Sequence, residues 1–394
     1  MELTELSIRL RTLSVFRRLL SDPVIESLCT CLDCMENGFP QMTASSYAEF
    51  VSRLYAAGPG DLGLHIQRVV EEDENVYIRM AAQGKEPPEY MRRCVEIELE
   101  TLQGAADLSP WMLQLGLEGI PLPDFGTTPV NLADCYRKRL ENIGQFGYGI
   151  YARSHMFYLN AQGHIVPVLH PDSTMLRDLV DYKREQQIIW DNTKALLAGK
   201  PAANILLTGD AGTGKSSTVK AVVNELYREG LRILEIRKEQ LHDIPRILDE
   251  LSVNPLKFIL FIDDLSFQKD DGNYSSLKAV LEGSVSAKSQ NVVIYATSNR
   301  RHLVKESFSD REGDDIHRND TMQEILSLSE RFGIHITFQK PNKATYLDIV
   351  HHLADAAGVT LSRDELDALA ERFALGRGGR SARAARQFID NLNA

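Results

Sequence analysis

The stretch "GDAGTGKSST", Gly209–Thr218, sets three glycines ahead of a lysine and a run of hydroxyl side chains. It meets the pattern G-x-x-x-x-G-K-[ST] at every fixed position, with Gly209, Gly214, Lys215 and Ser216. An apolar run, "ANILLT" (203–208), precedes it. A helical pattern follows, with Val219, Val222, Val223 and Leu226 on one side. Gly209, Gly212 and Gly214 let the backbone turn and approach closely, so that N–H groups surround phosphates. Asp210, Ala211, Thr213 and Ser217 complete the loop. The helix N-terminus adds a positive dipole end. Lys215 is expected to reach the β- and γ-phosphates, and the Ser216 hydroxyl to coordinate magnesium. A chance glycine turn would not explain the strand, helix, lysine and serine together. The loop therefore predicts a bound nucleoside triphosphate.

Working outward, further apolar strand-like runs are "LRILEI" (231–236), "KFILFI" (257–262), "NVVIYAT" (291–297) and "IHITF" (334–338), with helical patterns in most of the gaps. Such alternation predicts an α/β fold, a five-stranded parallel sheet covered by helices on both faces. Hydrolysis needs a magnesium carboxylate and a group to position water. "FILFIDDL" delivers Asp263 and Asp264 to a strand's C-terminal end, where open α/β sheets bind ligands. Asp263 is expected to hold magnesium through its water shell, and Asp264 is the candidate to polarise the attacking water. The alternative is a plain acidic turn. The next strand ends in "ATSNRR", where Asn299, or else Ser298 or Thr297, would sit beside the γ-phosphate. "SLSERFGIHITF" puts Arg331 just before the fifth strand, where it could reach a neighbouring subunit's nucleotide; a surface ion pair is the plainer reading. "GRGGRSARAARQFID" gathers Arg377, Arg380, Arg383 and Arg386 at the last helix. One of these could lie over the phosphates, or the cluster could be a basic patch.

The rest of the chain sets the frame. Its 394 residues exceed one ordinary domain. Residues 1–150 read as a mainly helical N-terminal domain, with Leu6, Leu10, Leu13 and Leu20 on one stripe and further helices near 43–56, 62–82, 88–104 and 130–143. "MFYLNAQGHIVPVLHP" (156–171) reads as a hairpin within a linker, 151–175. The nucleotide-binding core is expected over 176–340 and a helical lid over 341–394. Net charge is −11. Residues 1–175 hold 14 basic and 23 acidic side chains, a balance of −9, which leaves −2 for the remainder. An acidic front half disfavours nucleic acid or an anionic membrane as partner. "FILFI" is strand-sized, not a membrane span. The opening "MELTELSIRLRTLSVFRRLL" does not read as a signal peptide. Five cysteines, an odd and sparse count, suit a reducing cytoplasm. "CTCLDC" (29–34) has no second Cys/His pair nearby for zinc. Val24, Leu28, Cys31 and Met35 share a helical face, so buried helix cysteines are the favoured reading.

Taken in order, the P-loop, "FIDD" (261–264), "TSN" (297–299), "SERF" (329–332) and the arginine-bearing final helix resemble an AAA+ ATPase over about residues 176–394. The resemblance implies that Asn299 is sensor 1, Arg331 an arginine finger and Arg383 (or Arg380) sensor 2. It also places Leu179, Val180 and Asp181, in "DLVDYKREQ", near adenine. It implies ATP and Mg2+ as ligands and a homo-oligomer. Most AAA+ proteins carry Asp-Glu where this chain has Asp263-Asp264, which suits slow or partner-stimulated turnover. "GTGKSS", "FIDDLSF", "IYATSNRRHL", "SERFG" and "RSARAARQFID" are also similar to a bacterial AAA+ family catalogued as a domain of unknown function, a likeness that reaches back to the hairpin.

Two functions compete. One is an oligomeric ATPase that remodels or loads a macromolecule. The other is a nucleotide-dependent binding switch with little turnover, docking a protein partner through the N-terminal helices. "RKEQLHDIP" (237–245) lacks the aromatic residue expected of a threading pore loop. A small-molecule kinase is disfavoured, since no acceptor site is legible.

Overall fold

The computed structural model describes residues 2–36, 39–115, 117, 119–265, 277–281, 290–299 and 330–392, which divide into two units, Met1–Arg153 and Ser154–Ala394. The first unit is built from α1 (Leu3–Arg11), α2 (Pro23–Glu36), α3 (Pro40–Ala57), α4 (Leu62–Glu72), α5 (Val76–Ala82), α6 (Glu89–Ala106), α7 (Pro110–Leu113), α8 (Leu132–Glu141), α9 (Ile143–Phe146) and α10 (Ile150–Arg153). Their apolar stripes close one core around Leu10, Phe16, Leu28, Tyr47, Ile66 and Leu102.

Two details depart from the sequence reading. The stripe through Leu20 is not one α-helix: α1 ends at Arg11, and Leu20 falls in a separate 3-10 turn, Arg17–Ser21, with Leu19 buried and Leu20 packed beside the same core. The cause is Glu98 on α6. Its carboxylate accepts the N–H groups of Ser14, Val15 and Phe16 at 2.7–3.1 Å and turns the chain there. The helix expected over 62–82 is two helices. The Asn75 side chain accepts from the Ile78 N–H and caps α5, while its amide donates to the Asp73 carboxylate at 2.9 Å. Cys29 and Cys31 are buried in α2 and Cys34 is half-buried. Burial pushes the Cys31 thiol up to about 11.

The second unit runs β1 (Met156–Leu159), β2 (Ile165–Pro167), α11 (Lys183–Leu197), β3 (Ile205–Gly209), α12 (Lys215–Leu226), β4 (Leu231–Glu235), α13 (Ile244–Ser252), β5 (Lys257–Ile262), β6 (Val292–Ser298), β7 (Ile334–Phe338), α14 (Lys343–Ala356), α15 (Arg363–Gly376) and α16 (Ala382–Leu392). The sheet order is β2-β1-β4-β5-β6-β3-β7. The five expected strands are parallel neighbours. Phe258 through Ile262 are fully buried, as a sheet covered on both faces requires.

The hairpin is not a linker. Its β1 pairs antiparallel with β2 and parallel with β4, so the sheet has seven strands, not five. The "RKEQLHDIP" segment is bound to this hairpin. The Gln240 amide donates to the carbonyls of Leu159 and Asn160, and Arg246 donates to that of Gly163.

β3 lies between β6 and β7, while the chain next runs to β4 on the far side of β5. The crevice at the C-terminal end of β3 is thus a topological switch point, where such sheets bind ligands. α14, α15 and α16 form a separate small core around Tyr346, Ala370 and Ala385, and the Ser362–Glu365 capping box starts α15. The unit is thus a mainly parallel α/β sheet core that carries the glycine loop, followed by a three-helix lid. Among the described residues, no helix is long and apolar enough to cross a membrane.

Candidate nucleotide site

β3 delivers the glycine loop, and two of its glycines are required by close contacts. Gly209 has φ of 142°, and a Cβ there would stand 2.1 Å from the Phe338 carbonyl oxygen of β7. Gly212 has φ of 79°, and a Cβ would stand 3.0 Å from the Arg383 Cβ. The lid helix therefore starts directly on the loop, with the Arg383 N–H donating to the Gly212 carbonyl at 3.4 Å.

Lys215 opens α12 and is buried. Its ammonium donates to the carbonyls of Gly209 and Asp210, both at 2.8 Å, and to Asn299 Oδ1 at 3.0 Å. Burial holds its pKa below the ordinary lysine value, although the carboxylates of Asp263, Asp210 and Asp264 act the other way. Ser216 Oγ donates to Asp263 Oδ1 at 2.7 Å. Thr297, near the end of β6, donates to the same oxygen at 2.5 Å. Asp264 adopts φ of 53°, a left-handed conformation that Asp tolerates better than most residues. Its N–H donates to Thr297 Oγ1 at 3.0 Å, and its carboxylate accepts from Asn299 Nδ2 at 2.7 Å. The orientation of the Asn299 amide follows from its partners, since an ammonium cannot accept and a carboxylate cannot donate. Lys215, Asn299 and Asp264 thus form one chain of hydrogen bonds.

These groups floor a cleft of about 750 Å3, within the usual size for small-molecule sites. Ala211 through Ser217 line it, with Asp263, Asp264, Thr297 and Asn299. Leu179, Val180, Asp181 and Tyr182 also line it, together with Ile349 and Leu353 of α14. The Gln186 side chain fixes this loop by donating to the carbonyls of Leu179 and Asp181. Gly209 and Asp210 do not line the cleft; their carbonyls hold Lys215.

The structure places the two candidate lid arginines differently. Arg383 lines the cleft, whereas Arg380 is bound bidentately by Glu371 within the lid, at 2.8 and 2.6 Å. Arg331 does not line the cleft. It is half-buried just before β7, at the opposite end of that strand from Phe338 and the glycine loop. Ser329 of "SERF" and the basic residues after Asn299 in "SNRRHL" lie outside the described residues.

Sequence reasoning named Arg386 only as one of the arginine cluster and missed Gln387 and Asp390; all three line the cleft on the same face of α16 as Arg383. Their spacing of three, four and seven residues from Arg383 was the available signal. Asp172 and Thr174 also line it and carried no local signal. Asn224 of α12 holds both of their carbonyls at 2.8 Å and is itself bonded to His155 at 3.0 Å.

The donor set fits magnesium. A hydroxyl and a carboxylate oxygen 2.7 Å apart are hard ligands at close to the roughly 2.9 Å edge of an octahedron with 2.0–2.1 Å bonds.

A family model described as "Protein of unknown function (DUF815)" matches residues 152–394. No curated protein sequence matches the chain. Similar solved structures include the Thermotoga maritima RuvB Holliday junction branch migration motor. Its TM-score is 0.38 at 15% identity, over 56% of this chain and 64% of that one. A single-substitution mutant of the same protein gives a TM-score of 0.38 at 17% identity, over 54% and 61%. A structure titled for katanin self-assembly gives 0.38 at 15%, over 56% and 73%. The chain thus spans less than two thirds of the RuvB chains that it matches.

Proposed function

The chain belongs to the DUF815 family of proteins of unknown function, and from that premise we propose that it is an ATPase that binds ATP with Mg2+ and hydrolyses it at the cleft between core and lid. The observation that carries this reading is the convergence of Lys215, Ser216, Asp263, Asp264, Asn299 and Arg383 on one cleft. Lys215 and the loop amides bind the phosphates. Ser216 and Asp263 hold magnesium, which when bound neutralises charge on the β- and γ-phosphates. Asp264 orients and polarises the attacking water, and Asn299 fixes its carboxylate against Lys215. Arg383 reaches the phosphates from the lid. Leu179, Val180, Ile349 and Leu353 sandwich the base.

Arg331 acts in trans on a neighbouring subunit. Its distance from its own cleft along β7 supports that assignment, which makes the active form a homo-oligomer. The first unit docks a protein partner. A second reading, a nucleotide-dependent binding switch with little turnover, is favoured by the engagement of the Asp264 carboxylate by Asn299.

The test is Mg2+-dependent phosphate release from ATP by the full chain beside Lys215→Ala and Asp264→Asn. Hydrolysis by the wild type alone, with ATP binding kept in Asp264→Asn and lost in Lys215→Ala, is the expected result. Binding without measurable hydrolysis in the wild type selects the switch. No binding at all rejects both.

A further inference from the structure

Asp263 and Asp264 do opposite jobs in the proposed reaction, yet they are adjacent residues at a strand end. Something must point one carboxylate at the metal and hold the other clear of it. Thr297 is 1% exposed, and it contacts three consecutive residues. Its hydroxyl donates to Asp263 Oδ1 at 2.5 Å and accepts the Asp264 N–H at 3.0 Å. Its carbonyl accepts the Leu265 N–H at 2.7 Å. A hydroxyl has one proton. The Asp264 N–H also reaches Asp263 Oδ1 at 3.2 Å; since an amide can only donate to Oγ1 and a carboxylate can only accept from it, the hydroxyl proton is committed to Asp263. The polarity runs amide to hydroxyl to carboxylate, each bond strengthening the next. The same bond holds the Asp264 amide while its backbone turns left-handed, at φ of 53°, which carries the Asp264 side chain to Asn299. A β-branched residue in a packed strand has little χ1 freedom, so the hydroxyl is held rigidly.

We propose that Thr297 is a positioning residue that assigns the two aspartates their separate roles, Asp263 to the metal and Asp264 to water, an inference that rests on the ATPase reading above. Thr297 acts only through Asp263 and Asp264.

Thr297→Val keeps the shape and removes the hydroxyl. Thr297→Ser keeps the hydroxyl. The probe is a fluorescent N-methylanthraniloyl ATP, titrated against full-length protein in EDTA and then across a range of Mg2+ concentrations. The far-UV circular dichroism and urea midpoint of Thr297→Val report whether its fold is intact. The Mg2+ midpoint for tightened binding rises about tenfold, the scale of one charge-assisted hydrogen bond. Thr297→Ser stays within about twofold of wild type. Should the valine variant not fold, Thr297→Ala removes the hydroxyl without filling its space and is read in the same way. An unchanged Mg2+ midpoint in Thr297→Val overturns the proposal, as does a serine variant as impaired as the valine one. Failure of the wild type to bind the probe overturns the ATPase reading itself, and this inference with it.

Discussion

At the scale of single residues, buried charge decides most of the local geometry. Glu98 is buried, with its carboxylate turned to three successive backbone N–H groups. Glu98→Gln keeps the volume but sets an amide N–H2 against those donors. It is expected to destabilise the chain by about 2–3 kcal/mol, read as a lowered urea midpoint of the full-length protein by circular dichroism. Lys215 gives a signed pH effect. Burial lowers its folded pKa below the value in the unfolded chain. Between the two values the unfolded state binds more protons, so stability rises with pH there. The stability of wild type relative to Lys215→Met should therefore increase as pH climbs towards the ordinary lysine value. A difference that stays flat or falls in urea titrations from about pH 7 to 10 contradicts the desolvation argument. Gly209, Lys215, Ser216 and Asp263 were legible in sequence because a phosphate loop needs those residue types at fixed spacing on a strand and helix. The role of Thr297 was less legible, since its two partners lie more than thirty residues away.

At the scale of elements, strand alternation revealed the sheet's five parallel members, because continuous apolar runs have no other use than burial on both faces. The hairpin was visible, but its pairing with β4 was not, since β1 offers no sequence mark of its neighbour. The lid helix shows the same limit. Four arginines crowd into 377–386, and only the fold separates them: Arg377 and Arg380 precede α16, and Arg383 and Arg386 lie on it. Arg383 and Arg386 line the cleft, while Arg380 is spent on Glu371. Arg383→Ala should therefore weaken ATP binding about tenfold, the loss of one charge-assisted contact to phosphate. Arg380→Ala should leave it within about twofold. Equilibrium titration with the fluorescent nucleotide compares them, and equal losses in the two variants would refute the assignment.

At the scale of the whole molecule, the question is whether one chain completes its own site. Everything proposed for phosphate and metal comes from a single cleft, except Arg331. That residue precedes β7 while the phosphate loop follows β3, and the two strands are parallel. A side chain at the amino end of a strand cannot serve a site at the carboxyl end of its parallel neighbour without crossing the sheet's length. Five residues of strand span about 16 Å, well beyond an arginine's reach. If Arg331 takes part in hydrolysis, it serves another subunit. The specific ATPase rate should then rise with protein concentration, and Lys215→Ala and Arg331→Ala should each abolish it. Mixing the two variants should restore part of the rate, because an interface can pair the intact Arg331 of one chain with the intact loop of the other. The restored rate should depend on total protein as assembly does. A rate independent of concentration, with Arg331→Ala fully active, would assign Arg331 to packing beneath β7 and leave hydrolysis to the monomer.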